Sequence, residues 1–104
     1  MTIGTRRDNI ARALRCLGYD YAYHDNDPYI VMARHNHLTG HDITIWIGRN
    51  GKVEILRYDF YTQKSYHLKL NSAAKAALIS AGEYIFLCGS ISSSEKKRIA
   101  NLVP

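Results

Sequence analysis

The dipeptide Asn50-Gly51 separates two segments, residues 42–48 and 52–58, in which apolar side chains recur at about every second position. Asn-Gly is the pair that best fits a two-residue type I′ turn, because both central residues of that turn have positive φ. Alternation of this kind is typical of a β-strand that packs one face on a core. The sequence therefore predicts an antiparallel hairpin, and the rest of the chain must build a sheet around it.

A two-residue turn also predicts which side chains of the hairpin share a face, because the turn length sets the register. In that register Ile45 pairs with Leu56, and the isoleucines of the first strand form the core face: Ile43, Ile45 and Ile47. The opposite face would carry Trp46, the only tryptophan, beside Arg57 and Ile55. We expect this second face either to be covered by a helix or to bind a partner.

Three further segments predict strands, so the sheet would be an antiparallel meander of about five strands. Tyrosines alternate with other residues in 19–24, and residues 29–33 favour strand structure. A turn-forming sequence that ends in Pro28 separates the two. Residues 64–70 alternate again, whereas residues 34–41 show no period and are predicted to be a loop.

Helix signals are present at both ends of the chain. Thr5 and Asp8 resemble a capping box in front of a helix over residues 6–17, which Gly18 would end. A second helix is predicted to begin near Asn71 and to end at Gly82.

The segment after the second helix is predicted to hold one more strand and one more helix. Residues 84–88 form a continuous apolar run between two glycines, which favours a buried strand. Ser92 and Glu95 form a capping box for a short third helix.

These elements predict an α+β domain: an antiparallel sheet of about five strands, flanked by an N-terminal helix and one or two C-terminal helices. The 104 residues, of which 46% are hydrophobic and 22% charged, are expected to form a single compact domain, residues 1–104. The first residues resemble neither a signal peptide nor a membrane span. We therefore expect a cytoplasmic protein without membrane contact.

Charge is unevenly spread along the chain: both ends and the second half are basic, and the segment that contains most of the histidines is acidic. The net charge is +5, but residues 1–18 carry +3 and residues 19–48 carry −3. Excess positive charge is typical of proteins that bind nucleic acid or an acidic protein surface. The basic residues of the predicted terminal helices are therefore candidate contacts: Arg6, Arg7, Arg12, Arg15, Lys96, Lys97 and Arg98.

Histidine and aspartate are concentrated between residues 20 and 42, where four of the five histidines lie, including His24. One hypothesis is a divalent-metal site formed by the side chains of His35, His37, His41 and Asp42. A second is a ribonuclease site in which histidines act as acid and base and an arginine stabilises the phosphorane, with candidates His35, His37, His41 and His67. The alternative to both is a solvated loop.

A sheet face that combines aromatic and basic residues could instead bind a nucleic acid. Its aromatic rings would stack on the bases, and its basic side chains would neutralise the phosphates. The candidates for this face are Trp46 and Arg57 with Tyr21 and Tyr23, although tyrosines in such a stripe also commonly lie in a core. The sequence contains no RNA-recognition motif and no nucleotide-binding fingerprint. We therefore expect no cofactor.

We expect a small non-enzymatic interaction protein that binds a macromolecular partner, which would be an acidic protein surface, a nucleic acid or a nucleoprotein complex. Its size and charge are those of phage or mobile-element inhibitors, including anti-CRISPR-type proteins. The enzymatic alternative is the small ribonuclease or metal-dependent nuclease described above. An uncovered sheet edge or an exposed Trp46 face would also allow a homodimer.

Overall fold

A computed structural model describes residues 5–23 and 29–103 and confirms the predicted α+β fold. Three helices and five strands follow one another in the chain. They are α1 (Arg6–Cys16), β1 (Asp20–Tyr23), β2 (Tyr29–Asn36), β3 (His41–Gly48), β4 (Val53–Asp59), β5 (Lys64–Leu68), α2 (Ser72–Cys88) and α3 (Ser93–Ala100). No helix in the described ranges combines the length and the apolar composition needed to cross a membrane.

The five strands form one antiparallel meander in the order β1-β2-β3-β4-β5. α1 packs across β1, β2 and β3, α2 packs mainly on α1, and α3 packs on α2. All three helices therefore belong to one side of the sheet, which we call the helix face. Its central side chains are almost fully buried: Ile30, Met32, Ile43, Ile45, Ile47 and Ile55.

The other side of the sheet, which we call the open face, has no described helix over it. Its side chains in the central strands are only partly buried, Trp46 among them. The strand residues that the register places on this face include Asp42 and Glu54 but no described Lys or Arg. Of these two acids, Glu54 is ion-paired with Lys52 of the preceding loop at 3.3 Å, and Asp42 is in contact with His35.

The predicted register of the central hairpin is wrong by one residue. Ile45 pairs with Ile55, and Thr44 pairs with Leu56. The loop has three residues, because the backbone N–H of Gly48 donates to the carbonyl of Lys52 at 2.7 Å and Gly51 adopts φ +82°. A three-residue loop of this kind ends in a left-handed residue, usually glycine, which Gly51 supplies. One extra loop residue moves every β4 side chain to the other face.

The first helix forms as its sequence predicts. The Thr5 hydroxyl accepts a hydrogen bond from the backbone N–H of Asp8 at 3.1 Å, and the Asp8 side chain accepts one in return from the backbone N–H of Thr5. The face of α1 that carries Ile10 and Leu14 is completely buried. The capping box of α3 is also present, since the Ser92 hydroxyl accepts from the backbone N–H of Glu95 at 3.2 Å.

The second helix is longer than its sequence predicts, and the strand expected over residues 84–88 is its last turns. Gly82 does not end the helix; it lies where α2 crosses α1, and a Cβ at this position would overlap the backbone carbonyl of Asn9. The helix ends at Gly89, whose φ of +86° closes it with a hydrogen bond to Ile85. Gly82 therefore allows α1 and α2 to pack closely, and it does not end the helix.

Candidate binding site at one end of the sheet

Two turns meet at one end of the sheet, the β2–β3 turn (residues 37–40) and the β4–β5 turn (residues 60–63). The backbone N–H of Phe60 donates to the carbonyl of Gly40 at 2.9 Å and joins the two turns. Gly40 has φ +71°, and a Cβ there would overlap the ring of Tyr61. Only glycine therefore allows Tyr61 to lie across the neighbouring turn.

Each turn begins with a side chain that binds the backbone ahead of it. The Asn36 amide oxygen accepts hydrogen bonds from the backbone N–H groups of Leu38 and Thr39, at 3.0 and 3.2 Å. The Asp59 carboxylate accepts from Tyr61 at 3.0 Å in the same way. Side-chain bonds of this kind fix the turn backbone and leave its tip in solvent.

Large apolar side chains are unusually exposed at this end. The exposed fractions are 95% for Leu38, 79% for Tyr61, 44% for Phe60 and 38% for Tyr66. We call this region, with the strand residues next to it, the turn end; it comprises His35, His37, Leu38, Arg57, Phe60, Tyr61 and Tyr66. Exposed apolar residues that lie together are typical of an interaction surface, whereas scattered ones are not.

Arginine side chains lie on aromatic rings on the helix face of the turn end. Arg34, Ile43, Arg57 and Tyr66 form one row across β2, β3, β4 and β5. The Arg57 guanidinium stacks on the Tyr66 ring, 4.7 Å from its centre. It forms no ion pair with any carboxylate that the structure describes, and its Nε is buried without a hydrogen-bond partner. A stacked guanidinium keeps its in-plane N–H groups free for a carboxylate or phosphate.

Arg34 has a structural role beside this row. Its guanidinium lies 4.5 Å from the centre of the buried Tyr19 ring and donates to the carbonyl of Leu17 at 3.3 Å, at the end of α1. Burial raises the pKa of the Tyr19 hydroxyl, and the positive charge of Arg34 opposes this rise. Arg34 therefore holds the C-terminal end of α1 on the sheet.

Two histidines of the predicted cluster come together on the open face. The Nδ1 atom of His35 contacts the Asp42 carboxylate, and its Nε2 atom lies 3.0 Å from Nδ1 of His37. The His35 ring also packs edge-on against Phe60, at 5.2 Å between ring centres. Tyr58 packs on Phe60 in the same manner. Asp42 and Phe60 thus fix the orientation of His35 within the turn end.

His41 belongs to the opposite face and has a different partner. Its Nε2 atom lies 3.6 Å from the carboxylate of Asp59. Partial desolvation acts to raise the pKa of Asp59. The backbone N–H groups of Thr62 and Tyr61 donate to this carboxylate, and these bonds, with nearby His41, hold its pKa below the usual value.

The described residues do not bring together the ligands of the hypothesised metal site. Successive residues of a strand point to opposite faces, so His41 and its neighbour Asp42 cannot converge on one ion. His35 and Asp42 bind each other, and His37 binds His35. Nowhere in residues 5–23 and 29–103 do three His, Cys, Asp or Glu side chains converge in a way that could hold a metal ion. His24 lies outside the described residues.

The residues of the predicted ribonuclease site are also separated. His67 of β5 pairs with Leu56 of β4, in the row next to that of His35, and β3 and β4 lie between the two histidines. Arg34 and Arg57 lie on the helix face, whereas His35 lies on the open face. A phosphorane held near His35 would therefore have neither of these cations beside it.

The prediction that Trp46 and Arg57 share one face of the sheet is wrong because of the register. Trp46 lies on the open face opposite Glu54, and Arg57 lies on the helix face opposite Ile43. Tyr21 is on the helix face, where the Arg15 guanidinium lies 5.6 Å from its ring centre. The side chain of Tyr23 is outside the described part of the structure.

The basic residues of the helices occupy several separate places. Arg6 is exposed beside Gly51 of the central hairpin, and Arg7 is partly buried. On α3, Lys96 and Lys97 are exposed, and Arg98 forms an ion pair with Glu95 at 2.6 Å. The structure therefore does not join these residues into one basic surface.

Arg12 connects the first two helices. Its guanidinium donates to the Asn9 side chain at 2.6 Å and to the carbonyl of Gly82 at 3.2 Å, and it lies 4.9 Å from the ring centre of Phe86. Hence R12A is expected to lower the free energy of unfolding by about 1–2 kcal/mol. Urea denaturation measures this loss. R15A, which removes an exposed arginine from the same helix, is the control, and an equal loss in both variants would contradict the structural role.

Sequence reasoning missed the aromatic residues of the turn end. Phe60 and Tyr61 follow Asp59 in a segment that also contains Thr62 and Gln63, so the segment has the composition of a turn. Two aromatic residues inside such a turn are the signal in the sequence that indicates exposed apolar surface here.

A comparison with known proteins found no matching family model, no matching curated protein and no matching solved structure.

Proposed function

We propose that this chain is a non-enzymatic binding protein that recognises a partner protein through the turn end. The observation that carries the proposal is the exposure of Leu38, Phe60 and Tyr61 on two joined turns, next to the stack of Arg57 on Tyr66 at the same end of the sheet. Tyrosine, phenylalanine and arginine are enriched in protein interfaces, and tyrosine and arginine dominate their binding energy. The two ordered turns present these side chains in a fixed arrangement, which lowers the entropic cost of binding.

The charges at the turn end favour a partner protein with acidic residues. Asp42 is engaged by His35, and Asp59 by His41 and the backbone. Arg57 and Lys64 form no ion pair with a described carboxylate and so remain available. Two such cations are few for a phosphate backbone, to which nucleic-acid-binding proteins commonly make about 6–10 contacts. A carboxylate among apolar anchors fits this surface better.

The proposal extends to the mode of action and the compartment. Binding at the turn end would act by occlusion in the cytoplasm, as an inhibitor or adaptor of a host complex would act. Origin from a phage or another mobile element, and formation of a homodimer, stay predictions.

The proposal predicts that exposed turn-end side chains carry the binding energy. L38S and Y61A remove two of them, and neither side chain supports the fold, because both are more than three quarters exposed. Loss of an interface anchor commonly costs about 2 kcal/mol, so each change should weaken binding about 30-fold. The measurement is capture of partner protein from nuclease-treated lysate, followed by titration of the captured partner.

The control removes the same residue types from another surface. Tyr84 and Leu87 on α2 are exposed by 55% and 59%, so Y84A and L87S change apolar surface to a similar extent. We expect the partner to be kept by these variants and lost by the turn-end variants. Release of every partner by nuclease, or equal loss in both pairs of variants, would overturn the proposal.

A further inference from the structure

The outer edge of β5 is unpaired. β5 is the last strand of the sheet, and it pairs on one side with β4 and on the other with no described residue. Such an edge presents backbone N–H and C=O groups that can add another strand. Most proteins that use a free edge for recognition bind an extended peptide, whose backbone gives affinity and whose alternate side chains give specificity.

A groove lies beside this edge on the helix face. α1 packs across β1, β2 and β3, and α2 packs mainly on α1, so the β4–β5 corner of the sheet is incompletely covered. The groove has a volume of about 540 Å³, and its apolar lining comes from Val53, Ile55, Leu68 and Leu70. Glu54 and His67 border it from the open-face side. Apolar side chains of an added strand would face this lining.

Lysines surround the apolar lining of the groove. Lys69 and Lys75 border it and form no ion pair with a described carboxylate. Lys52 borders it as well, but it is held by Glu54 at 3.3 Å. Lys64 stands at the other end of β5 and is also exposed and without an ion-pair partner among the described residues. The edge and its groove therefore carry an excess of unneutralised positive charge.

We propose that the β5 edge and the adjoining groove bind an extended acidic segment of a partner protein by addition of a sixth strand. Alternate side chains of the segment would be apolar and lie over Val53 and Leu68. A carboxylate on the opposite side of the added strand would reach Lys69, and an acidic residue beyond the last apolar position would reach Lys75. Neither lysine forms an ion pair with a described carboxylate. This site goes beyond the turn end, since neither lysine belongs to that surface.

The charge distribution favours an acidic partner over a second copy of this chain. Pairing of β5 with β5 of another copy would bring Lys64 and Lys69 of both copies into one small area. Lysines on an edge strand are a common protection against pairing between identical edges. A segment rich in Glu or Asp would instead be attracted by the same lysines.

The test is a titration of the ¹⁵N-labelled protein with a short peptide that alternates Glu with Val or Ile. We expect amide shifts in β5 and around the groove, and slower hydrogen exchange of alternate β5 amides on binding, because these amides would become hydrogen-bonded to the peptide. The same peptide with Lys in place of Glu should not bind. The readouts that separate this site from the turn end are those of Leu68, Lys69 and Lys75, because Lys64 and Tyr66 lie at the turn-end side of β5. Loss of binding in L38S or Y61A with unchanged shifts at these three residues distinguishes the two proposals.

Variants connect the binding to the lysines of the groove. The double variant K69E/K75E should bind the acidic peptide about tenfold or more weakly, and a tenfold loss of affinity corresponds to about 1.4 kcal/mol. K96E combined with K97E makes the same charge change on α3 and should leave the affinity unchanged. Absence of binding, unchanged exchange in β5, equal binding of the Lys peptide, or dimerisation through β5 would each overturn the proposal.

Discussion

Replacement of Gly82 with alanine is expected to lower the free energy of unfolding by about 3 kcal/mol. An alanine in the middle of a helix normally raises stability relative to glycine, by about 1 kcal/mol. At this position the added methyl group would overlap the backbone of Asn9, and a backbone cannot move aside as a flexible side chain can. The two helices would have to separate, and overpacking of this kind commonly costs about 1–3 kcal/mol.

Denaturation of G82A by urea, followed by circular dichroism, measures this loss. The control is S80A, which changes an exposed residue of the same helix and should alter the stability by less than about 0.5 kcal/mol. A stabilised G82A protein would show that α1 and α2 are further apart than the structure places them.

I55A is expected to lower the free energy of unfolding by about 2–5 kcal/mol, and L56A by less than about 1 kcal/mol. Ile55 is 1% exposed and belongs to the hydrophobic core, so its truncation leaves a cavity there. Leu56 is only partly buried and lies on the open face beside Thr44. The two residues are neighbours in β4, so their difference depends on the register alone.

The same urea titration applied to I55A and L56A tests that register. T44A, on the open face of β3, is the control for a change without core contact. A two-residue turn would place Leu56 in the core, and L56A would then be less stable than I55A. That result would contradict the structure.

The parts of the fold that depend on neighbouring residues could be predicted from the sequence. Thr5 with Asp8 and Ser92 with Glu95 mark helix starts because each capping bond joins residues three apart. The end of α2 could not be predicted in this way. Gly82 has the sequence signature of a helix end, but its role comes from contact with Asn9, more than seventy positions away in the chain.

In the candidate site, too, some features could be predicted from neighbouring residues, whereas others depend on contacts between distant parts of the chain. The sequence marks His35 and His37 as candidates, and the structure places their rings in contact at the turn end. The sequence does not show that His41 points to the other face, because residues 34–41 have no period typical of a strand. The exposure of Tyr61 depends on its contact with Gly40 in another turn, and no local pattern encodes that contact.

The unequal charge of the two sheet faces has a consequence for kinetics. Asp42 and Glu54 lie on the open face, where His35 contacts Asp42 and Lys52 pairs with Glu54 at 3.3 Å. Arg57 lies on the helix face and forms no ion pair with a described carboxylate. We therefore expect an electric dipole across the sheet, with its positive end on the helix face. A dipole rotates a protein as it diffuses toward a charged partner, so encounters with an acidic surface would be biased toward the arginine side. Productive collisions would then outnumber those expected from random orientation, and added salt would remove this advantage.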